Sequence, residues 1–101
     1  MTEIEQTSAF KNAANSFIKE MYPESSYKAN ISSVIIMNMT SENEVSVDLV
    51  VDWTTIYGDR VSDTYWGTWI KENGIWKPQD NFVKHYTEKD GKIYNPGESL
   101  Y

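Results

Sequence analysis

Few side chains in this 101-residue chain have the type and spacing that catalysis needs. There is one histidine, His85, and no cysteine, which excludes a disulfide framework, a thiolate metal site and a cysteine nucleophile. Asp48 and Asp52 share one face of a predicted strand, but four residues separate them by about 13 Å, too far for shared acid–base work. The sequence contains no motif for holding phosphates, dinucleotides or metal ions. We therefore predict no catalytic residue, no metal ligand and no cofactor, and assign no role to His85.

The chain is acidic, with 15 Asp and Glu against nine Lys and Arg and a formal net charge of −6. Much of the excess lies between Glu42 and Asp63, where Arg60 is the only base. A nucleic-acid-binding protein needs a basic face to displace counterions from phosphates, so we predict no direct nucleic-acid binding. The acidic stretch is either the solvated side of a strand or a surface for a basic partner, including a surface that imitates nucleic acid.

The apolar residues do not predict a membrane protein. No apolar run approaches the ~20 residues that span a bilayer, and the acidic N-terminus lacks the cationic start of a signal peptide. We therefore expect a cytoplasmic protein that makes no membrane contact.

Hydrophobic periodicity predicts one helix, followed by strands. A capping box at residues 2–5 precedes apolar residues at the helical period, and Pro23 ends the helix, which we place at residues 3–21. The clearest strand alternates from Val45 to Trp53 and directs its odd-numbered residues to the core. The predicted strands cover about residues 30–39, 44–57, 60–72 and 75–86. Asp90-Gly91 and Asn95-Pro96-Gly97 are turn signals, so the tail 87–101 is predicted to be a short hairpin or irregular.

These elements predict a single α+β domain over residues 1–101. One N-terminal helix packs on a four-stranded antiparallel meander sheet, because short turns join all four strands. Pro78 lacks an amide donor, so we expect an edge strand or a bulge near residues 78–81.

A predicted two-residue turn at Gly58-Asp59 sets the pairing of the second and third strands. Residues whose numbers sum to 117 then face each other. This register places Tyr65 and Trp69 on the sheet face away from the helix, because successive residues of a strand alternate between faces.

Asn73-Gly74 is the strongest hairpin signal in the chain and pairs residues whose numbers sum to 147, such as Lys71 with Trp76. Continued without interruption, this pairing places Phe82 away from the helix. A bulge near Pro78 would instead turn Phe82 to the core.

The face away from the helix is predicted to be the interaction surface. Its apolar residues are Val50, Tyr65, Trp69, Trp76 and Phe82, and its acidic, partner-facing residues are Asp48, Asp52 and Asp63. Ile35 and Met37 join it if the turn at 40–43 allows. So much aromatic surface is expected to be covered by a second copy of the chain or by another protein. The alternative is that the C-terminal tail folds over it.

Two late segments carry a family resemblance. Tyr65-Trp66-Gly67-Thr68-Trp69-Ile70 and Asn73-Gly74-Ile75-Trp76-Lys77 are similar to late strands of the cystatin-like superfamily, and more particularly of its nuclear transport factor 2-like group. The resemblance implies a helix wrapped by a bent antiparallel sheet, dimerisation through the sheet face, and use as a binding or accessory module. Ketosteroid isomerase relatives would imply a pair formed by Tyr57 or Tyr65 with Asp63 or Asp52. The cystatin inhibitor motif Gln-x-Val-x-Gly is absent, so protease inhibition is not implied.

The sequence thus predicts a small, acidic, non-catalytic protein-interaction module that acts through an aromatic sheet face. Its partner is a second copy, another protein, or both, and its size and charge suit a bacterial or phage accessory or inhibitor protein. One alternative is a small-molecule-binding or enzymatic domain of the nuclear transport factor 2-like group. The other is an acidic nucleic-acid mimic that acts as an inhibitor.

Overall fold

The computed structural model describes residues 3–22 and 28–101, and side chains from residue 8 onward. Helix α1 spans Glu3–Met21, which coincides with the predicted range. Residues 2 and 23, which carry part of the predicted cap and the helix stop, lie outside the described residues. Six strands follow in the described part of the chain, namely β1 Asn30–Ser41, β2 Glu44–Thr54, β3 Arg60–Glu72, β4 Ile75–Pro78, β5 Val83–Lys89 and β6 Lys92–Tyr94.

The α+β architecture is confirmed, but the four-stranded meander is wrong. The sheet is antiparallel in the order β1-β2-β3-β5-β6, and β4 also pairs with β3. The predicted strand 75–86 is divided into β4 and β5. The tail contributes the end of β5 and all of β6, which is the hairpin alternative of the prediction, because Asp90 and Gly91 both take positive φ and close a tight turn.

The division between β4 and β5 follows from Pro78, which cannot donate to a strand ladder. β4 pairs with the C-terminal part of β3 in the register predicted from Asn73-Gly74, and this pairing is confirmed by Lys71 facing Trp76. The chain then turns, with the Phe82 amide donating to the carbonyl of residue 79 at 2.9 Å. β5 takes over on the same edge of β3.

The predicted register between β2 and β3 is wrong. The turn contains five residues, 55–59, in place of two, because the Thr55 hydroxyl accepts the amide protons of Tyr57 and Asp59 at 3.2 Å each. Paired residues therefore sum to 114, so that Val45 faces Trp69. A shift by three, an odd number, moves every β3 side chain to the opposite face.

Four predicted interface residues accordingly belong to the hydrophobic core. Trp69 and Trp76 are 0% and 4% exposed and lie beneath the helix, while Tyr65 and Phe82 are also buried. The Trp69 ring is 4.8 Å from Phe10, measured between centroids, in an edge-to-face contact. Rings at 5.3 Å in the turn between β4 and β5 and at 5.6 Å on the helix complete the cluster, so these indoles are not available to a partner.

Within the described residues, no helix is long and apolar enough to cross a membrane.

Candidate protein-binding surface

The outer face of the sheet, defined here as the face away from α1, is built from five cross-strand rows. Each row takes one residue from β1, one from β2 and one from β3, and four of the rows continue beyond β3. In order along the strands the rows are Asn30-Asp52-Ser62-Glu88-Ile93, Ser33-Val50-Thr64-Tyr86, Ile35-Asp48-Trp66-Val83, Asn38-Ser46-Thr68 and Ser41-Glu44-Ile70-Lys77. Neighbours within a row lie about 5 Å apart, and alternate residues of a strand about 7 Å.

The row Ile35-Asp48-Trp66-Val83 carries the exposed apolar surface. Ile35 is 55%, Trp66 40% and Val83 49% exposed, and Trp66 lies on the interior strand β3, between Ile35 on the edge strand β1 and Val83 at the start of β5. Exposed apolar side chains that adjoin one another commonly mark interaction sites. This row is therefore the strongest candidate for a functional surface.

Trp66 is held in place by its neighbours on β5. Its indole lies 4.2 Å from the His85 ring at an interplanar angle of 31°, and 6.4 Å from Tyr86 edge to face. A bulge in the β3–β5 pairing between Thr64 and Tyr65 allows His85 to reach the indole. An indole fixed in this way loses little conformational entropy on binding, which is typical of an anchor residue at a protein interface.

Three of the eight predicted interface residues do lie on the outer face. Val50, Asp48 and Asp52 are half-buried there, and Asp52 accepts a hydrogen bond from the Ser62 hydroxyl at 2.6 Å. Ile35 joins them, as the sequence allowed. Asp63 does not, because the same register shift places it in the core.

Trp66, the central residue of the row, was not among the predicted interface residues. The alternation within β3 itself could have found it. Polar Ser62, Thr64 and Thr68 share its face, whereas Val61, Tyr65 and Trp69 share the other, which indicates the core side independently of any turn.

Asp63 forms a second polar group of interest, on the helix side of the sheet. It is 1% exposed, and its Oδ2 accepts hydrogen bonds from the Tyr22 hydroxyl and from Trp53 Nε1, the latter at 2.9 Å. Its Oδ1 accepts from the Thr87 hydroxyl at 2.6 Å. Because Tyr22 donates to Asp63, Tyr65 donates in turn to Tyr22, at 2.7 Å.

This arrangement supports a structural role. Three donors satisfy the carboxylate, as a buried charge requires, and tie the residue after α1 to β2, β3 and β5. Tyr65 and Asp63, one of the pairs implied by ketosteroid isomerase relatives, share no direct hydrogen bond. Tyr22 lies between them and hydrogen-bonds to both. Tyr57 is 71% exposed in the turn between β2 and β3, where its ring contacts Tyr101.

The tyrosines of this network should make the fold sensitive to alkali. Burial, and then the hydrogen bond to Asp63, raise the pKa of Tyr22, and burial raises the pKa of Tyr65. The unfolded chain ionises its tyrosines near pH 10, whereas the folded chain keeps these protons. Stability present below about pH 10 is therefore lost as pH rises above it, because the unfolded state then binds fewer protons.

Urea unfolding at pH 8.5 and pH 11 measures this loss. We expect the free energy of unfolding to fall less between these pH values in Tyr22→Phe than in the wild type, since the variant lacks one tyrosine whose pKa is raised by folding. In Tyr57→Phe, which changes the exposed turn, the free energy of unfolding should fall as much as in the wild type. Equal falls in all three proteins would contradict a protonated, buried Tyr22.

The C-terminal tail packs on the helix side of the sheet. The Tyr101 hydroxyl hydrogen-bonds with Asp59 and, at 2.8 Å, with Thr55. Lys89, 8% exposed on the core side opposite Val61, donates to the Leu100 carbonyl at 2.6 Å and lies 3.9 Å from the Tyr101 ring centroid. The tail therefore leaves the row that contains Trp66 uncovered.

One end of the sheet also carries an open polar depression of about 530 Å³. Its lining includes Trp53, Arg60 and Asp52, with both signs of charge, but not Asp63 or either network tyrosine. Among the described residues, no three His, Asp or Glu side chains are placed to hold a metal ion.

Comparison of the chain with protein-family models, curated proteins and solved structures found no match in any of the three. The resemblance to the nuclear transport factor 2-like group therefore stays a prediction.

Proposed function

We propose that this protein is a small, non-catalytic protein-interaction module that binds a partner through the outer face of its sheet. The observation that carries the proposal is the row of exposed apolar residues centred on Trp66, on the face that neither α1 nor the tail covers. Trp66 is the exposed tryptophan of this face, whereas Trp69 and Trp76, which were predicted there from the sequence, are buried. An accessory or inhibitor role, a cytoplasmic location and a cystatin-like, nuclear transport factor 2-like fold form part of the proposal.

The Asp63 network supports a binding module over an enzyme. Its carboxylate already accepts three hydrogen bonds and faces Tyr22, Trp53 and Thr87, so that it has no accepting position directed at a substrate. A general base must lie within hydrogen-bond reach of the proton that it removes.

Site-specific photocrosslinking tests the proposal. p-Benzoylphenylalanine is introduced at position 66 or 83 of the outer face, and the protein is irradiated in the cells that naturally make it. Positions 21 and 56 are matched controls, since Met21 and Ile56 are exposed by 51% and 73% but lie in α1 and in the β2–β3 turn. We expect discrete adducts from positions 66 and 83 only.

The mass of the adduct identifies the partner class, because a second copy doubles the 11.7 kDa mass of the chain. Adducts from the control positions alone, equal labelling at all four positions, or no adduct would contradict binding through the outer face.

A further inference from the structure

The chemistry of the outer face indicates which partner it fits. We infer that this face binds a protein segment presenting an arginine among apolar side chains, with the guanidinium group against both Trp66 and Asp48. The inference rests on the proposed function, because it names the partner for the same surface.

Asp48 has a carboxylate oxygen that lacks a donor. Its Oδ1 is buried and meets no hydrogen-bond partner among the described residues. Its cross-strand neighbours are Ile35, which has no side-chain donor, and Trp66, whose indole Nε1 makes no hydrogen bond to Oδ1. A half-buried carboxylate with an unpaired oxygen is costly, and a partner's cation that pairs with the carboxylate from its exposed side offsets that cost.

Trp66 and Asp48 are spaced for one guanidinium group. They face each other directly across β2 and β3, which places their Cβ atoms about 5 Å apart. Arginine can donate to a carboxylate through its planar fork and lie against an indole at the same time. Lysine, a compact point charge, matches this pair of surfaces less well.

The surroundings of the pair extend the same chemistry. Ile35 and Val83, at the two ends of the row, supply exposed apolar surface for the residues flanking the arginine. Glu44 and Asp52 lie four residues to either side of Asp48 on β2, about 13 Å away, and add negative potential.

Charge also decides against a second copy as the occupant. Among the described residues, the bases at the outer face lie at its two ends, with Arg60 and Lys28 at the depression and Lys77 opposite the end of β3, 3.8 Å from Glu72. Two copies placed face to face would bring like-charged central acids together, which is unfavourable, whereas a cationic partner neutralises them.

Selection from a library of random displayed peptides tests the inference. Wild-type protein is the target, and Trp66→Ala protein removes peptides that bind elsewhere. We expect the enriched peptides to contain arginine between apolar residues. Their affinity should fall at least about 30-fold for Asp48→Asn, the loss typical when one member of a buried charged pair is removed. Asp90→Asn, in the exposed β5–β6 turn, is the matched control and should bind like the wild type.

The outcomes separate this inference from the proposed function. Peptides that require Trp66 but lack arginine, or that bind Asp48→Asn unchanged, overturn the arginine partner and leave the outer face as a binding surface. If the protein self-associates and Trp66→Ala abolishes the association, the arginine partner is also overturned, since the outer face then binds a second copy of the chain. Failure to select any peptide that discriminates wild type from Trp66→Ala counts against both.

Discussion

Replacing Trp69 with alanine should lower the free energy of unfolding by about 4 kcal/mol, the cost typical of removing a fully buried indole. Trp69 is 0% exposed, and its ring meets aromatic partners on α1 and in the turn between β4 and β5 in edge-to-face geometry. The cavity left behind cannot close easily, because the sheet backbone fixes one side of it. A domain of this size has only about 5–15 kcal/mol of stability, so the variant should be partly unfolded at room temperature or melt far below the wild type.

Trp66→Ala is the matched control, since it removes the same side chain from the same strand three residues away. Its indole is 40% exposed, and we expect a loss of at most about 1 kcal/mol. Urea unfolding followed by far-ultraviolet circular dichroism measures both variants, because it does not depend on the lost tryptophan signal. Equal losses, or a larger loss for Trp66→Ala, would mean that the two faces of β3 are assigned the wrong way round.

Gly67→Ala should cost about 3 kcal/mol, at the upper end of the range for overpacking a tightly filled site. Gly67 has a φ of +153°, and a Cβ placed there would lie 2.3 Å from Phe82 Cα and 2.5 Å from the Asn81 carbonyl oxygen. Both atoms belong to backbone, so rotation of a side chain cannot relieve the overlap. The turn between β4 and β5 must move, although two hydrogen bonds fix it against β3: the Thr68 amide donates to Asn81 Oδ1, and Asn81 Nδ2 donates to the Thr68 hydroxyl.

Gly91→Ala separates this overlap from the cost of an unfavourable backbone conformation. Gly91 also has a positive φ, of +78°, but a Cβ there meets no atom within 4 Å. We expect it to lose about 1 kcal/mol, the ordinary cost of alanine in the left-handed region. Thermal unfolding by calorimetry gives both values, and a Gly67→Ala loss no larger than that of Gly91→Ala would contradict the close backbone approach.

The comparison of these residues shows what the sequence could predict. The helix, the alternation of β2 and the Asn73-Gly74 hairpin are local signals, because each depends on residues only a few positions apart. The same locality explains why Pro78 was recognised as a point of irregularity. The division of the last predicted strand into β4 and β5 was not predicted, since it needs the contact between Asn81 and β3 across 13 residues of chain.

The candidate surface could be predicted only in part. Asp48, Asp52 and Val50 were placed on the outer face by the alternation of β2 alone, and the structure keeps them there. The tryptophans were assigned through a turn, and an error of three residues in its length exchanged Trp66 with Trp69. A strand has a period of two, so any odd error in register reverses both faces at once.

By itself, the sequence determined the kind of molecule this is: a Cys-free, acidic α+β domain with a tryptophan-rich sheet behind an N-terminal helix. Composition and short-range periodicity carry that information, because burial of apolar side chains must match the local backbone period. Only the tertiary structure decided which indole meets solvent and which fills the core, and that Asp63 is buried with Tyr22. These outcomes depend on the Thr55 side chain, whose hydrogen bonds to two amides lengthen one turn to five residues. A turn closed by such side-chain hydrogen bonds differs little in free energy from other turns that the same residues can form. Packing of the sheet against the helix selects one of them.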